Sequence, residues 1–76
     1  MPRLICTYRL FVEILAAHGF VLHRHDGGSH QRWRSEVNGR VYLVDVTPHR
    51  INDDIPTGTL KAMIRQSGLS EKLFRR

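Results

Sequence analysis

SHQRWRSEVNGRVYLVDVT, residues 29–47, reads as two antiparallel strands joined by a tight turn. Asn38-Gly39 accepts the positive φ angles that a two-residue hairpin requires, and is the strongest short hairpin signal in the chain. Before it, Ser29 to Val37 alternates as a strand does: Gln31, Trp33 and Ser35 share a face with Ser29, while His30, Arg32 and Arg34 share the other. After it, Arg40 to Thr47 is β-branched and aromatic, as a third strand should be. Val41 and Leu43 are apolar on that strand, which makes them either a partner contact or an extra part of the core.

Upstream, Phe20 to His25 reads as the first strand, with Phe20 and Leu22 facing one way and Val21, His23 and His25 the other. Asp26-Gly27-Gly28 then turns the chain into a hairpin. Met1 to Cys6 is an extended lead-in, and Thr7 is a good N-cap for a helix from Tyr8 to His18. Leu10, Phe11, Ile14 and Leu15 form its apolar face, and Gly19 ends it. Downstream, Pro48 to Pro56 is a polar connection in which Asp53 and Asp54 solvate the loop or help cap the second helix. Thr57 or Thr59 caps that helix, about Gly58 to Ser67, whose apolar stripe is Leu60, Met63 and Ile64. Gly68 is the C-cap residue, Leu69 packs back, and Ser70 to Phe74 adds one further turn. The order α-β-β-β-α gives an α+β two-layer sandwich with both helices on one face. Double-stranded RNA-binding domains share this topology, which by itself assigns no function.

Seventy-six residues form one domain, residues 1–76 with a core of about 7–74. The 41% hydrophobic content suffices for a small core, which excludes a disordered tail. Lys and Arg number 12 against 7 acidic residues, and ten of the twelve are arginine. Arginine's planar fork suits phosphate and stacks on bases, so the bias favours a nucleic-acid partner over plain solubility. Cys6 is the only cysteine, which rules out an internal disulfide and a thiolate metal cluster and fits a reducing cytoplasm. No signal-peptide pattern and no apolar stretch of membrane-spanning length is present, so the expected location is cytoplasmic, with no membrane contact.

One constellation can carry chemistry. His30 opens strand two at the glycine turn with Arg32 and Arg34 on its side. Imidazole is the side chain best placed to exchange protons near neutral pH. In RNA the 2′-hydroxyl is a built-in nucleophile, so a base that removes its proton can break the chain without a metal or cofactor. Arginines neutralise charge on the phosphoryl oxygens, and Gly27 and Gly28 allow close backbone approach. A lone histidine after a hairpin is more often a plain surface residue, so the pattern alone does not assign this role; a second proton-transfer group could be His49, His23 or water. His23 and His25, at i, i+2 on one strand face, have a spacing that allows metal binding with His30. Zinc, however, wants three or four ligands of fixed geometry, and no Cys-x-x-Cys or His-Glu-x-x-His supports it, so no metal is expected. Arg24, Arg32, Arg34, Arg40 and Arg50 are either an RNA-binding strip or unconnected surface charges. Trp33 is expected to pack against the helices.

His18-Gly19-Phe20, Arg24, Gly28-Ser29-His30 and Trp33, followed by Ile55-Pro56-Thr57-Gly58-Thr59-Leu60 and Ile64-Arg65-Gln66-Ser67-Gly68-Leu69-Ser70, resemble the HicA toxins (the YcfA-like family). The resemblance runs from about Thr7 to Phe74. It implies the toxin half of a type II toxin–antitoxin pair, a double-stranded RNA-binding-like fold, metal-independent mRNA endoribonuclease activity with no cofactor, and a HicB-like antitoxin that masks the site. It maps the catalytic histidine to His30; the expected RNA-binding residues are Arg24, Gly28, Ser29, Arg32, Arg34 and Lys61. The chain departs from the family pattern at Asp26-Gly27-Gly28, at Val46-Thr47-Pro48-His49 and at Asp45, an acid inside a basic strand. The alternatives are a non-catalytic RNA-binding module on the same fold and a degenerate toxin kept as a protein-interaction domain. The first would need a basic cluster opening the second helix, where Pro56 to Leu60 has none.

Overall fold

A computed structural model describes residues 3–26, 30–47 and 50–75, with 24–26 described by backbone only. Helix α1 spans Tyr8–Ala17, strands β1, β2 and β3 span Val21–Asp26, His30–Val37 and Arg40–Val46, and helix α2 spans Thr57–Ser67. A short 3-10 helix, Glu71–Phe74, follows. The strands form one antiparallel sheet in the order β1-β2-β3, and the architecture is the expected α+β sandwich.

The Asn38-Gly39 turn behaves as its sequence dictates. Asn38 has φ 53° and Gly39 φ 80°, the two left-handed residues of a tight hairpin. Counting outward from it fixes the pairing of β2 with β3, from Val37 opposite Arg40 to Gln31 opposite Val46. One face of this ladder is buried. Val44 and Val46 are fully enclosed, Ser35 is buried, and Trp33 and Tyr42 pack half-buried against the core. Phe11 and Leu15 of α1, Leu60, Met63 and Ile64 of α2, Phe74, and Cys6, Phe20 and Ile55 from the connecting segments join that core. The Phe11 and Phe74 rings stack with centroids 5.0 Å apart, tying the 3-10 helix to α1. Such aromatic pairs contribute about 1 kcal/mol beyond their buried area.

The start of α1 is held by the connection between β3 and α2. Thr7 Oγ1 accepts from the Leu10 amide at 3.1 Å, as its position predicts. The Tyr8 and Arg9 amides donate to the Asp53 and Ile51 carbonyls at 3.1 and 2.7 Å, and Ile55 N–H donates to Cys6 O at 2.9 Å. Arg9 Nε adds a bond to Asn52 Oδ1. The first-turn donors that a helix leaves without intrahelical partners are thus met by backbone from the other half of the chain. Asp53 and Asp54 therefore serve α1 through their backbones, Asp54 by a bridge to Thr7, and do not cap α2 as the sequence suggests.

Two other expectations are corrected. Helix α2 is capped by neither threonine: Pro56 holds the N-cap position without a side-chain bond, and Thr57 is the first helical residue. Proline's fixed φ suits a helix entry, which displaces the boundary by one residue. In β1 the alternation changes phase, because the pairing with β2 shifts between Leu22 and Arg24. Val21 lies opposite Arg34 and Leu22 opposite Trp33, but Arg24 then lies opposite Arg32 and His25 opposite Gln31. His25 and Val21 consequently fall on opposite faces, where simple alternation puts them together.

Gly68 closes α2 in the left-handed conformation, φ 70°, and Leu69 packs against the core as expected. A Cβ at Gly68 would stand 2.5 Å from Cε1 of Tyr42. Gly68→Ala is therefore expected to lower stability by about 2 kcal/mol or more, combining left-handed backbone cost with the clash. In a double-mutant cycle with Tyr42→Ala, read by urea denaturation, the combined loss is expected to fall short of the sum. Strict additivity would show that the ring contact plays no part.

Candidate nucleic-acid interface on the open sheet face

The helices cover one face of the sheet and leave the other to solvent. His30 is the first residue of β2 and is exposed. Its backbone pairs with Asp26 across the β1–β2 hairpin. The next residues on this face along β2 are Arg32, Arg34 and Glu36, and the facing positions of β3 are Asp45, Leu43 and Val41. Arg24 joins the same row because the irregularity at His23 brings it opposite Arg32. The strand pairing thus brings His30, Arg32, Arg34 and Arg24 onto one side. Gly28 and Ser29, like Gly27 and His49, lie outside the described residues. Lys61 is exposed on α2, in the helical layer and away from this face. Arg40 stands over the Tyr42 ring at 5.3 Å, on the helix side of the sheet.

The two arginines that follow His30 along β2 are engaged. Arg32 Nε donates to Asp45 Oδ1 at 2.9 Å, with side chains 46% and 59% exposed. Arg34 Nη2 donates to Glu36 Oε1 at 3.0 Å. Asp45, an unexpected acid by sequence, is a cross-strand partner for Arg32. Both pairings were available to a reader of the sequence, one from the hairpin register and one from the i, i+2 spacing along β2. Exposed pairs of this kind contribute about 0–1 kcal/mol, so a guanidinium can exchange its carboxylate for a phosphate at little cost. Val21, Val41 and Leu43, at 62%, 46% and 43% exposure, do not join the core. That removes one of the two readings open for Val41 and Leu43. Trp33 is turned inward, its Nε1 donating to Gln31 Oε1 at 3.1 Å. Among the described residues, no three His, Cys, Asp or Glu side chains gather in a way that could hold a metal ion.

The molecule is thus a small α-β-β-β-α domain with a histidine and arginines on a bare sheet face. The family model described as the HicA toxin of bacterial toxin–antitoxin systems matches residues 8–69. The chain therefore belongs to the HicA toxin family, and this membership implies an antitoxin partner of the HicB kind. No curated protein and no solved structure matches the chain. No helix among the described residues is long and apolar enough to cross a membrane.

Asp45→Asn is expected to shift unfolding stability by no more than about 1 kcal/mol, and by less at high salt, as an exposed pair should. Urea titrations at low and high ionic strength measure this; a loss of several kcal/mol would show that Arg32–Asp45 braces the sheet.

Proposed function

We propose that the protein is a metal-independent endoribonuclease that cuts mRNA in the cytoplasm, with His30 as its proton-transfer group. The observation that carries this reading is the exposed position of His30 at the mouth of the β1–β2 hairpin, beside Arg32 on the uncovered face and within the matched family segment. An imidazole there takes the proton of a 2′-hydroxyl as the 2′-oxygen attacks the adjacent phosphorus. The bond from phosphorus to the 5′-oxygen breaks, the leaving oxygen gains a proton from water or the imidazolium, and a 2′,3′-cyclic phosphate remains. Arg32 and Arg34, released from Asp45 and Glu36, and Arg24 opposite Arg32 neutralise the phosphoryl oxygens as charge builds. In this reading Gly28 and Ser29, which belong to the motif carrying the family resemblance, are further RNA contacts, and Lys61 contacts RNA from the helical layer.

Incubation of a single-stranded mRNA with EDTA and either the wild-type protein or His30→Ala tests this. Cleavage by the wild type and loss of at least 100-fold in rate for the variant are expected, since a positioned general base contributes about that much or more. The variant should unfold at the wild-type midpoint, because His30 is exposed. Undiminished cutting by His30→Ala would refute the assignment. Cutting by neither protein, with salt-sensitive binding by both, would indicate an RNA-binding module without catalysis.

A further inference from the structure

Three segments far apart in the sequence meet beside the start of α2. A cleft of about 440 Å³ opens there, walled by Arg3 of the N-terminal arm, by Thr57 and Lys61 of α2, and by Glu71 and Arg75 around the 3-10 helix. A backbone bridge between Leu4 and Arg75 holds the arm in place. Glu71 is occupied by Arg75, Oε2 to Nη2 at 2.7 Å, so three cations face one carboxylate. Among the described residues Arg3 and Lys61, both exposed, make no ion pair. The cleft's excess positive charge is therefore uncompensated by the protein. The entry of α2 adds to it, because Pro56 supplies no side-chain acceptor to the first-turn amides.

The position of the cleft relative to His30 follows from the strand pairing. Gln31 pairs with Val46, so the end of β3 and the beginning of β2 share one end of the sheet. Helix α2 runs back along β3, since Gly68, just past its last turn, lies against Tyr42, which pairs with Ser35 toward the Asn38-Gly39 end. The first turn of α2 therefore stands at the His30 end of the domain, one layer away.

We propose that this cleft holds a backbone phosphate of the same RNA strand that His30 cuts. The proposal rests on the ribonuclease reading for its ligand. A strand crossing the end of the sandwich from sheet to helices would meet both places. Contacts between cations and phosphates position a nucleic acid without reading its bases, so the cleft sets where the strand lies and leaves sequence choice to the region around His30. The second helix lacks an opening basic cluster in its own sequence; here Arg3 and Arg75 supply that charge from the two ends of the described chain.

A fluorescent 20-nucleotide single strand of 2′-O-methyl RNA, in EDTA, is the probe: without a 2′-hydroxyl it resists cleavage whatever His30 does. Its binding is measured by anisotropy across a sodium chloride series for wild type, Arg3→Ala/Lys61→Ala and the charge-keeping pair Arg3→Lys/Lys61→Arg. The alanine pair is expected to bind several-fold more weakly at low salt, with the slope of log affinity against log salt reduced by about 0.7 for the one phosphate no longer neutralised. The charge-keeping pair should retain the wild-type slope. An unchanged slope in the alanine pair overturns the proposal. So does a loss that the charge-keeping pair shares, or a loss confined to binding of the antitoxin protein. Cleavage is not read, so failure of His30 as the catalytic group and failure of the cleft as a phosphate site give separate signatures.

Discussion

The fold depends on a backbone joint between the start of α1 and the connection that follows β3. Four hydrogen bonds cross it, from Tyr8, Arg9 and Ile55 amides and from the Arg9 side chain, linking segments more than forty residues apart. Without the joint, the Tyr8 and Arg9 amides would lose their partners despite the Thr7 cap, and the polar 50–55 segment would have backbone groups to satisfy elsewhere. With it, Ile55 is drawn into the core at 4% exposure and Pro56 is placed where α2 must begin. The position of Lys61 beside Arg3 thus follows from how α1 is capped.

The sheet answers a different demand. Its helix side needs alternating apolar residues, and the chain supplies Val44 and Val46 under Phe11, Leu15, Leu60 and Ile64. Its other side is free of that demand and carries charge in cross-strand and same-strand pairs, Arg32 with Asp45 and Arg34 with Glu36. Such pairs keep three exposed strands soluble and discourage edge pairing with other chains. They also hold the Arg32 and Arg34 guanidinium groups on the open face. The acids that look misplaced in a basic strand are consistent with both needs.

Local chemistry was legible in the sequence and long-range geometry was not. Asn38-Gly39 and Gly68 announced their positive φ angles, and the alternation from Gln31 to Ser35 announced which side would be covered. Thr7 announced the start of α1. The irregularity near His23 had no such mark, since β1 contains no glycine or proline at that point and the shift arises from pairing with β2. It decides that Arg24, rather than His23, lines up with Arg32. For the same reason the meeting of Arg3, Lys61 and Arg75 was invisible: each is an ordinary surface cation until the arm and the 3-10 helix are folded together. His30 was legible as a candidate because turn and strand place it by local rules, whereas the catalytic role assigned to it draws on family membership.

Cys6 lies inside the joint at 1% exposure, its Sγ against the Thr7 carbonyl at 3.3 Å and its own carbonyl bound by Ile55. Thiol chemistry requires access by a reagent, so modification of this one sulfur waits for the two halves of the chain to part. Its rate of alkylation is then a clock for the opening of the domain at a single place. The same enclosure shields the chain's only thiol from oxidants while the domain is closed.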